Sequence, residues 1–125
     1  MPAERAGRRR ETARAAVAPI LVECDGASLG NPGASGIGVR LSAVGGDTVA
    51  EHSEPIGRAT NNVAEYTALV RGLELAAARG ALRVAIRMDS ELVVRQVTGV
   101  YKTREAHLQD LLAEVKKRLR AFDSW

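Results

Sequence analysis

Apolar and polar positions divide the chain into a run of strands followed by helices. Ile20-Leu21-Val22-Glu23-Cys24-Asp25 begins nearly all apolar and ends in an acid, the pattern of a buried strand. Gly26 to Gly36 holds four glycines and an Asn31-Pro32-Gly33 turn signal, and is expected to be a turn. Ile37 to Leu41 and Thr48 to Ile56 read as two further strands around Gly45-Gly46-Asp47. With the first strand they make an antiparallel meander.

The texture then changes. Asn61 to Arg79 is helical, with Thr60 or Asn61 as N-cap and Gly80 as C-terminal stop. Ala81 to Asp89 reads as a strand with Val84, Ile86 and Met88 on one face. Ser90 caps a short helix running to Thr98, and Gly99 ends it. Arg104 to Phe122 is a long helix in which Leu108, Leu111, Leu112, Val115 and Leu119 recur at helical spacing. Ala121 to Trp125 begins another strand. The order βββ-α-β-α-α brings the Val84 strand back through a helical crossover, parallel to the first strand. The expected class is α/β: a mixed sheet, an antiparallel meander of three strands plus a parallel strand, with helices packed on it.

At 125 residues there is room for one domain. Aromatics make up 3%, so the core must be aliphatic and alanine-rich. A single cysteine, Cys24, excludes an internal disulfide framework and fits a reducing cytosol, so a cytoplasmic location is expected. No apolar run approaches the roughly 20 residues that cross a bilayer. Ala15 to Val22 is broken by Pro19 and followed by Glu23 and Asp25, so no secretory signal is read. The net charge of +3 resides in residues 1–16, where five arginines face two glutamates, and the remainder is neutral. Residues 1–17 are therefore expected to be a disordered basic arm, and residues 18–125 the folded domain. Such an arm is either a solvated end or an attractor of nucleic-acid phosphates.

Three carboxylates stand out by position. Asp25 closes the first strand, Asp89 closes the fourth, and Glu65 lies early in the Asn61 helix, on the stripe continued by Leu69, Gly72, Leu73 and Ala76. Parallel neighbours would place Asp25 and Asp89 at one sheet edge, where α/β sheets gather ligands. A glutamate at the top of an apolar stripe calls for a cationic partner. Each acid alone also has a structural reading: a turn, a cap, or a charge at a helix N-terminus. Together they suit metal-assisted phosphodiester hydrolysis, because Mg²⁺ prefers oxygen donors and keeps several waters. Two such ions can activate water and stabilise the leaving oxygen. No histidine–cysteine cluster suits zinc. His52 and His107 read as surface residues.

The local sequences are more specific. Cys24-Asp25-Gly26-Ala27-Ser28-Leu29-Gly30-Asn31-Pro32-Gly33, Thr60-Asn61-Asn62-Val63-Ala64-Glu65 and Met88-Asp89-Ser90 occur in order at element ends. They resemble the three active-site motifs of type 1 ribonucleases H, over residues 19–125. The resemblance implies an endonuclease that cuts the RNA strand of RNA–DNA hybrids. It makes Asp25, Glu65 and Asp89 both catalytic and metal-binding, with two Mg²⁺ (or Mn²⁺) ions per site. It gives Asn31, Asn61 and Asn62 contacts in the minor groove, where RNA displays its 2′-hydroxyls. Thr60 becomes a DNA-phosphate contact, and Gly26, Ser28 and Ser90 further substrate contacts. The glycines let backbone approach the duplex closely.

Only Gly99-Val100-Tyr101-Lys102 joins the last two helices, where some family members carry a basic protrusion. The family continues past the last long helix into a fifth strand, a loop with a histidine, and a helix with a fourth acid. These have no counterpart before Trp125. The expectation is therefore a nuclease of reduced activity, or in the alternative a hybrid-binding module. The expected partner is the hybrid, with no membrane, and the protein a monomer or a dimer covering an exposed sheet edge.

Overall fold

In a computed structural model of the chain, residues 19–43 and 45–125 are described. The expected basic arm, residues 1–17, lies outside the described residues. Three strands come first: β1 (Ile20–Gly30), β2 (Gly33–Ala43) and β3 (Thr48–Ala59). They are followed by α1 (Asn61–Ala78), β4 (Val84–Arg87), α2 (Glu91–Val97) and α3 (Ala106–Leu119). The sheet order is β3-β2-β1-β4, antiparallel throughout except for the β1–β4 pair. This is the expected mixed sheet with helices packed on it.

Several boundaries differ from the sequence reading: β2 and β3 run past the expected Ile37–Leu41 and Thr48–Ile56, and the last helix is Ala106–Leu119 rather than Arg104–Phe122. The glycine-rich stretch from Gly26 to Gly36 is almost entirely strand. The β1–β2 ladder runs unbroken from Ile20↔Ala43 to Gly30↔Gly33, and only Asn31 and Pro32, joined by a cis peptide bond, form the turn. Glycine punctuates loops, but it also occupies strands where another backbone comes close. Gly26 is such a place: a Cβ there would lie 2.2 Å from the carbonyl carbon and oxygen of Ala64 and 2.5 Å from the Glu65 nitrogen. The fourth strand is shorter than expected. It ends at Arg87, because its pairing with β1 stops at Glu23↔Arg87.

Alternation on β1 and β2 sends Val22, Cys24, Ile37, Val39 and Leu41 to one face, all buried. Helix α1 covers that face with Leu69, Leu73 and Ala76. It sits close because residue 72 is glycine, where a Cβ would meet Val22 Cγ1 at 2.7 Å. Helix α3 packs on α1 and adds Leu108, Val115 and Leu119 to the same core. The N-cap of α1 is Thr60, whose hydroxyl accepts from the Val63 N–H at 3.2 Å.

Polar links tie the helices down. Arg71 on α1 donates to Glu54 on β3 at 2.6 Å and to Glu74 at 2.7 Å, and Arg118 on α3 reaches Glu74 at 3.4 Å. The fully buried Tyr66 on α1 donates its hydroxyl to the Gln96 side chain on α2. Burial raises the pKa of Tyr66, against a lowering by Thr103, so the phenol remains a donor.

Beyond α3 the chain turns back along β4. Ser124 forms a parallel bridge with Arg83, and its carbonyl accepts from the Val84 N–H at 3.1 Å. The strand expected from Ala121 onward is thus present as this single bridge. Among the described residues no helix is long and apolar enough to cross a membrane.

Candidate active site

Asp25 does not close its strand, as the sequence suggested. It lies within the β1–β2 ladder, opposite Gly38. What ends near it is the pairing with β4. Asp25 stands two residues beyond Glu23 and Asp89 two residues beyond Arg87, and Glu23↔Arg87 is the last parallel pair. Both aspartates are exposed, and both line one open cleft of about 510 Å³ that also takes in Glu23, Arg40, Glu51 and His52. The crossover through α1 created this arrangement, since only a parallel neighbour brings two strands' carboxyl ends to the same edge.

Glu65 arrives from α1 and is half-buried. The absent side chain at Gly26 lets the Ala64–Glu65 backbone press against β1, directly after Asp25 in sequence. The close approach this glycine permits is therefore made by the protein's own helix. Gly26 itself is buried.

The side chains of Asp25, Glu65 and Asp89 make no hydrogen bond or ion pair with a described residue, although cations are nearby. Arg87 approaches Glu23 at 3.9 Å and Arg40 approaches Glu51 at 3.5 Å, both on the same cleft. Like charges gathered at one edge repel, a cost that a bound cation offsets. The donor set is carboxylate oxygen throughout and suits a hard divalent ion. Among the described residues, no group of three or more His, Cys, Asp and Glu side chains converges as a metal-holding cluster. Cys24 also borders the cleft, but burial, helped by the charge of Asp25, pushes its thiol up to about 12. Near neutrality the protonated thiol is favoured.

The remaining site residues gather at the hairpin tip. The Asn61 Oδ1 accepts from the Ser28 N–H at 2.9 Å, and the Asn61 N–H donates to Asn31 Oδ1 at 3.1 Å. The Ser28 hydroxyl donates to the carbonyls of Gly30 and Ala59, and Ser35, which the sequence did not single out, donates to Ala59 at 3.1 Å. Because both asparagine oxygens face backbone donors, their amide orientation is set. Their NH₂ groups are left as donors for a ligand's acceptors. Asn62 follows in the first turn of α1, half-buried. Ser90 caps α2, its hydroxyl accepting from the Val93 N–H at 3.2 Å. Asp89 therefore sits immediately before a helix. His52 lies 3.3 Å from Glu54, and His107 lies 3.3 Å from Glu105 on the exposed start of α3.

Comparison with known proteins agrees with this geometry. A family model described as reverse transcriptase-like matches residues 23–125. Ribonuclease HI of Halobacterium salinarum is 45% identical over 101 residues, covering 81% of this chain and 51% of that protein. The chain thus spans about half the length of this curated relative. The crystal structure of RNase H1 from the same archaeon superposes with a TM-score of 0.84 at 42% identity, covering 86% of this chain and 81% of that one. LC11-RNase H1, crystallised with an RNA/DNA hybrid, gives 0.78 at 40% identity, covering 85% and 84%. By its motifs, its sheet order and these relatives, the chain belongs to the type 1 ribonuclease H family.

Proposed function

We propose that this domain hydrolyses the RNA strand of RNA–DNA hybrids, with Asp25, Glu65 and Asp89 holding divalent cations at the scissile phosphate. The observation that carries the reading is the shared register of Asp25 and Asp89 beyond the last β1–β4 pair, with Glu65 pressed in at Gly26. A relative of the same fold has been crystallised on such a hybrid. Two Mg²⁺ or Mn²⁺ ions, when bound, would supply an activated water and charge neutralisation at the phosphate.

The chain's own residues do the rest. Asp25, Glu65 and Asp89, one from each of three elements, would hold the ions through carboxylate oxygens. Asn31 and Asn61 offer amide N–H donors to the acceptors of a minor groove, with Asn62 beside them. Thr60 and Ser28 flank these donors, on the side where phosphates and sugars of a hybrid would lie. Ser90 holds the turn carrying Asp89. Gly26 acts by seating α1.

A second reading, hybrid binding without turnover, is favoured by the absence of a converged three-carboxylate cluster among the described residues. Incubating a strand-labelled hybrid with the protein in Mg²⁺ and in Mn²⁺, beside Asp25→Asn and duplex DNA, separates the two. RNA-strand cuts that vanish in Asp25→Asn are expected. Binding without cuts would favour the second reading. Cleavage undiminished by the substitution would remove the carboxylate assignment.

A further inference from the structure

Glu65 and Asp89 sit on elements that are joined by a buried polar contact outside the cleft lining. Glu65 is on α1, and the next residue, Tyr66, turns inward and is fully buried. Asp89 immediately precedes the Ser90 cap of α2, and Gln96 lies near the other end of that seven-residue helix, 5% exposed. The Tyr66 hydroxyl donates to the Gln96 amide oxygen. Helix α2 is short; its other buried side chains are Val93 and Val97, and the loop after it is tied back by the Tyr101 N–H donating to the Arg95 carbonyl at 3.0 Å. Two valines fix a helix's distance from its neighbour but only weakly fix its rotation or its sliding, because apolar contact is non-directional. A buried hydrogen bond is directional, and Gln96 lies about 9 Å along the axis from Ser90, so α2 transmits its seat to its N-terminus as a rigid rod.

We infer that the Tyr66–Gln96 hydrogen bond is a positioning pair that sets Asp89 relative to Glu65, through the seat of α2 on α1. This rests on the proposed carboxylate site but makes a separate claim about it. Neither residue touches substrate. Their effect is on where the carboxylates stand, so it should appear in cation binding and turnover and leave hybrid affinity alone.

The test uses Tyr66→Phe, Gln96→Leu and the double variant, in the full chain. Each single change leaves one buried polar group unpaired and lowers thermal stability, whereas the double change removes both partners and restores much of it. A purely structural pair would therefore be rescued in the double variant. A positioning pair would not. The expected result is that the double variant regains stability yet binds Mn²⁺ about threefold to tenfold more weakly in water-proton relaxation titrations. Amides of residues 89–95 should exchange faster with deuterium in the metal-free protein, with those of α1 unchanged and KM for the hybrid within about twofold of wild type.

A double variant matching wild type in both Mn²⁺ affinity and exchange would overturn the inference. So would faster exchange with undiminished Mn²⁺ affinity, which would leave the pair a packing element only. Asp25→Asn serves as the separate control. If that change leaves Mn²⁺ binding untouched, the carboxylate site itself fails, and the exchange of residues 89–95 alone then decides whether the pair seats α2.

Discussion

The tip of the β1–β2 hairpin and the β1–β4 edge belong to one strand, yet they treat polar side chains oppositely. At the tip, Ser28, Asn31, Ser35 and Asn61 are committed to one another or to nearby backbone. At the edge, Asp25 and Asp89, with Glu65 beside them, make no such contact with any described residue, while Glu23 next door is paired with Arg87. The tip is shape held ready by internal hydrogen bonds. The edge is charge left without a partner, which costs stability unless a cation arrives. Substitutions at the tip should therefore lower stability and affinity together, and substitutions at the edge should abolish activity at little cost to the fold.

The largest effect should come from the residue that serves both regions. Gly26→Ala would drive a methyl into the Ala64 carbonyl at 2.2 Å, and backbone cannot yield as a flexible side chain can. Overpacking of this kind costs about 1–3 kcal/mol or more. Pushing α1 outward also separates Glu65 from Asp25 and Asn61 from Ser28. Misplacement of about 1 Å can cost roughly 10²-fold in rate. Thermal unfolding and hybrid cleavage should thus fall together. A Gly26→Ala protein with normal turnover would show that the Glu65 seat is not critical.

Asp89→Asn isolates the edge. Stability should stay within about 0.5 kcal/mol of wild type, since the carboxylate is exposed and has no partner to lose. Activity should fall roughly 10²-fold or more, because several kcal/mol of cation-mediated stabilisation go with it. Calorimetric unfolding alongside cleavage rates checks both halves. A large loss of stability would mean that Asp89 is a structural cap, as an acid before a helix often is.

Much of this contrast is legible in the amino-acid sequence. Periodicity located the helices and the meander, and the crossover through α1 predicted the parallel β1–β4 pair that puts Asp25 and Asp89 together. The limits were physical. Gly26 to Gly36 read as a turn because glycine signals loops locally, whereas Gly26 answers to a helix that arrives 38 residues later in the chain, at Ala64, and Gly33 to the Leu29 backbone across the hairpin. The mutual bonding of Ser28, Asn31 and Asn61 was hidden because polar residues at a turn and at a helix start each have a local explanation. Tyr66 and Gln96 gave no signal at all. Their partnership spans 30 residues, and neither periodicity nor spacing pairs a tyrosine with a glutamine.

At the tip, Asn61→Ala should have an intermediate effect. It removes the acceptor of the Ser28 N–H, at a cost of about 1 kcal/mol for one exposed hydrogen bond. It also removes the amide donor proposed to reach the minor groove. KM for the hybrid should rise severalfold while kcat changes less, in contrast to Asp89→Asn. Steady-state kinetics on a short hybrid separates the two patterns. A fall confined to kcat would place Asn61 with the edge.

The smallest effect tests the comparison with a carboxylate on the same sheet that does have a partner. Glu54 accepts from Arg71 at 2.6 Å, and that hydrogen bond, with His52 Nε2 3.3 Å away, holds its pKa below the usual glutamate value. A depressed folded pKa means that the charged form is favoured in the native state. The contribution is therefore present above the ordinary glutamate pKa and is lost as pH falls through the lowered one. Glu54→Gln should be slightly less stable than wild type near neutrality, and the gap should close on acidification. Cleavage should be unaffected, since Glu54 is committed to α1 and lies outside the Asp25–Asp89 cleft. Unfolding midpoints of both proteins across a pH series would show the convergence. A gap that persists in acid would mean that Glu54 acts through packing, and that pairing is not what separates it from Asp25.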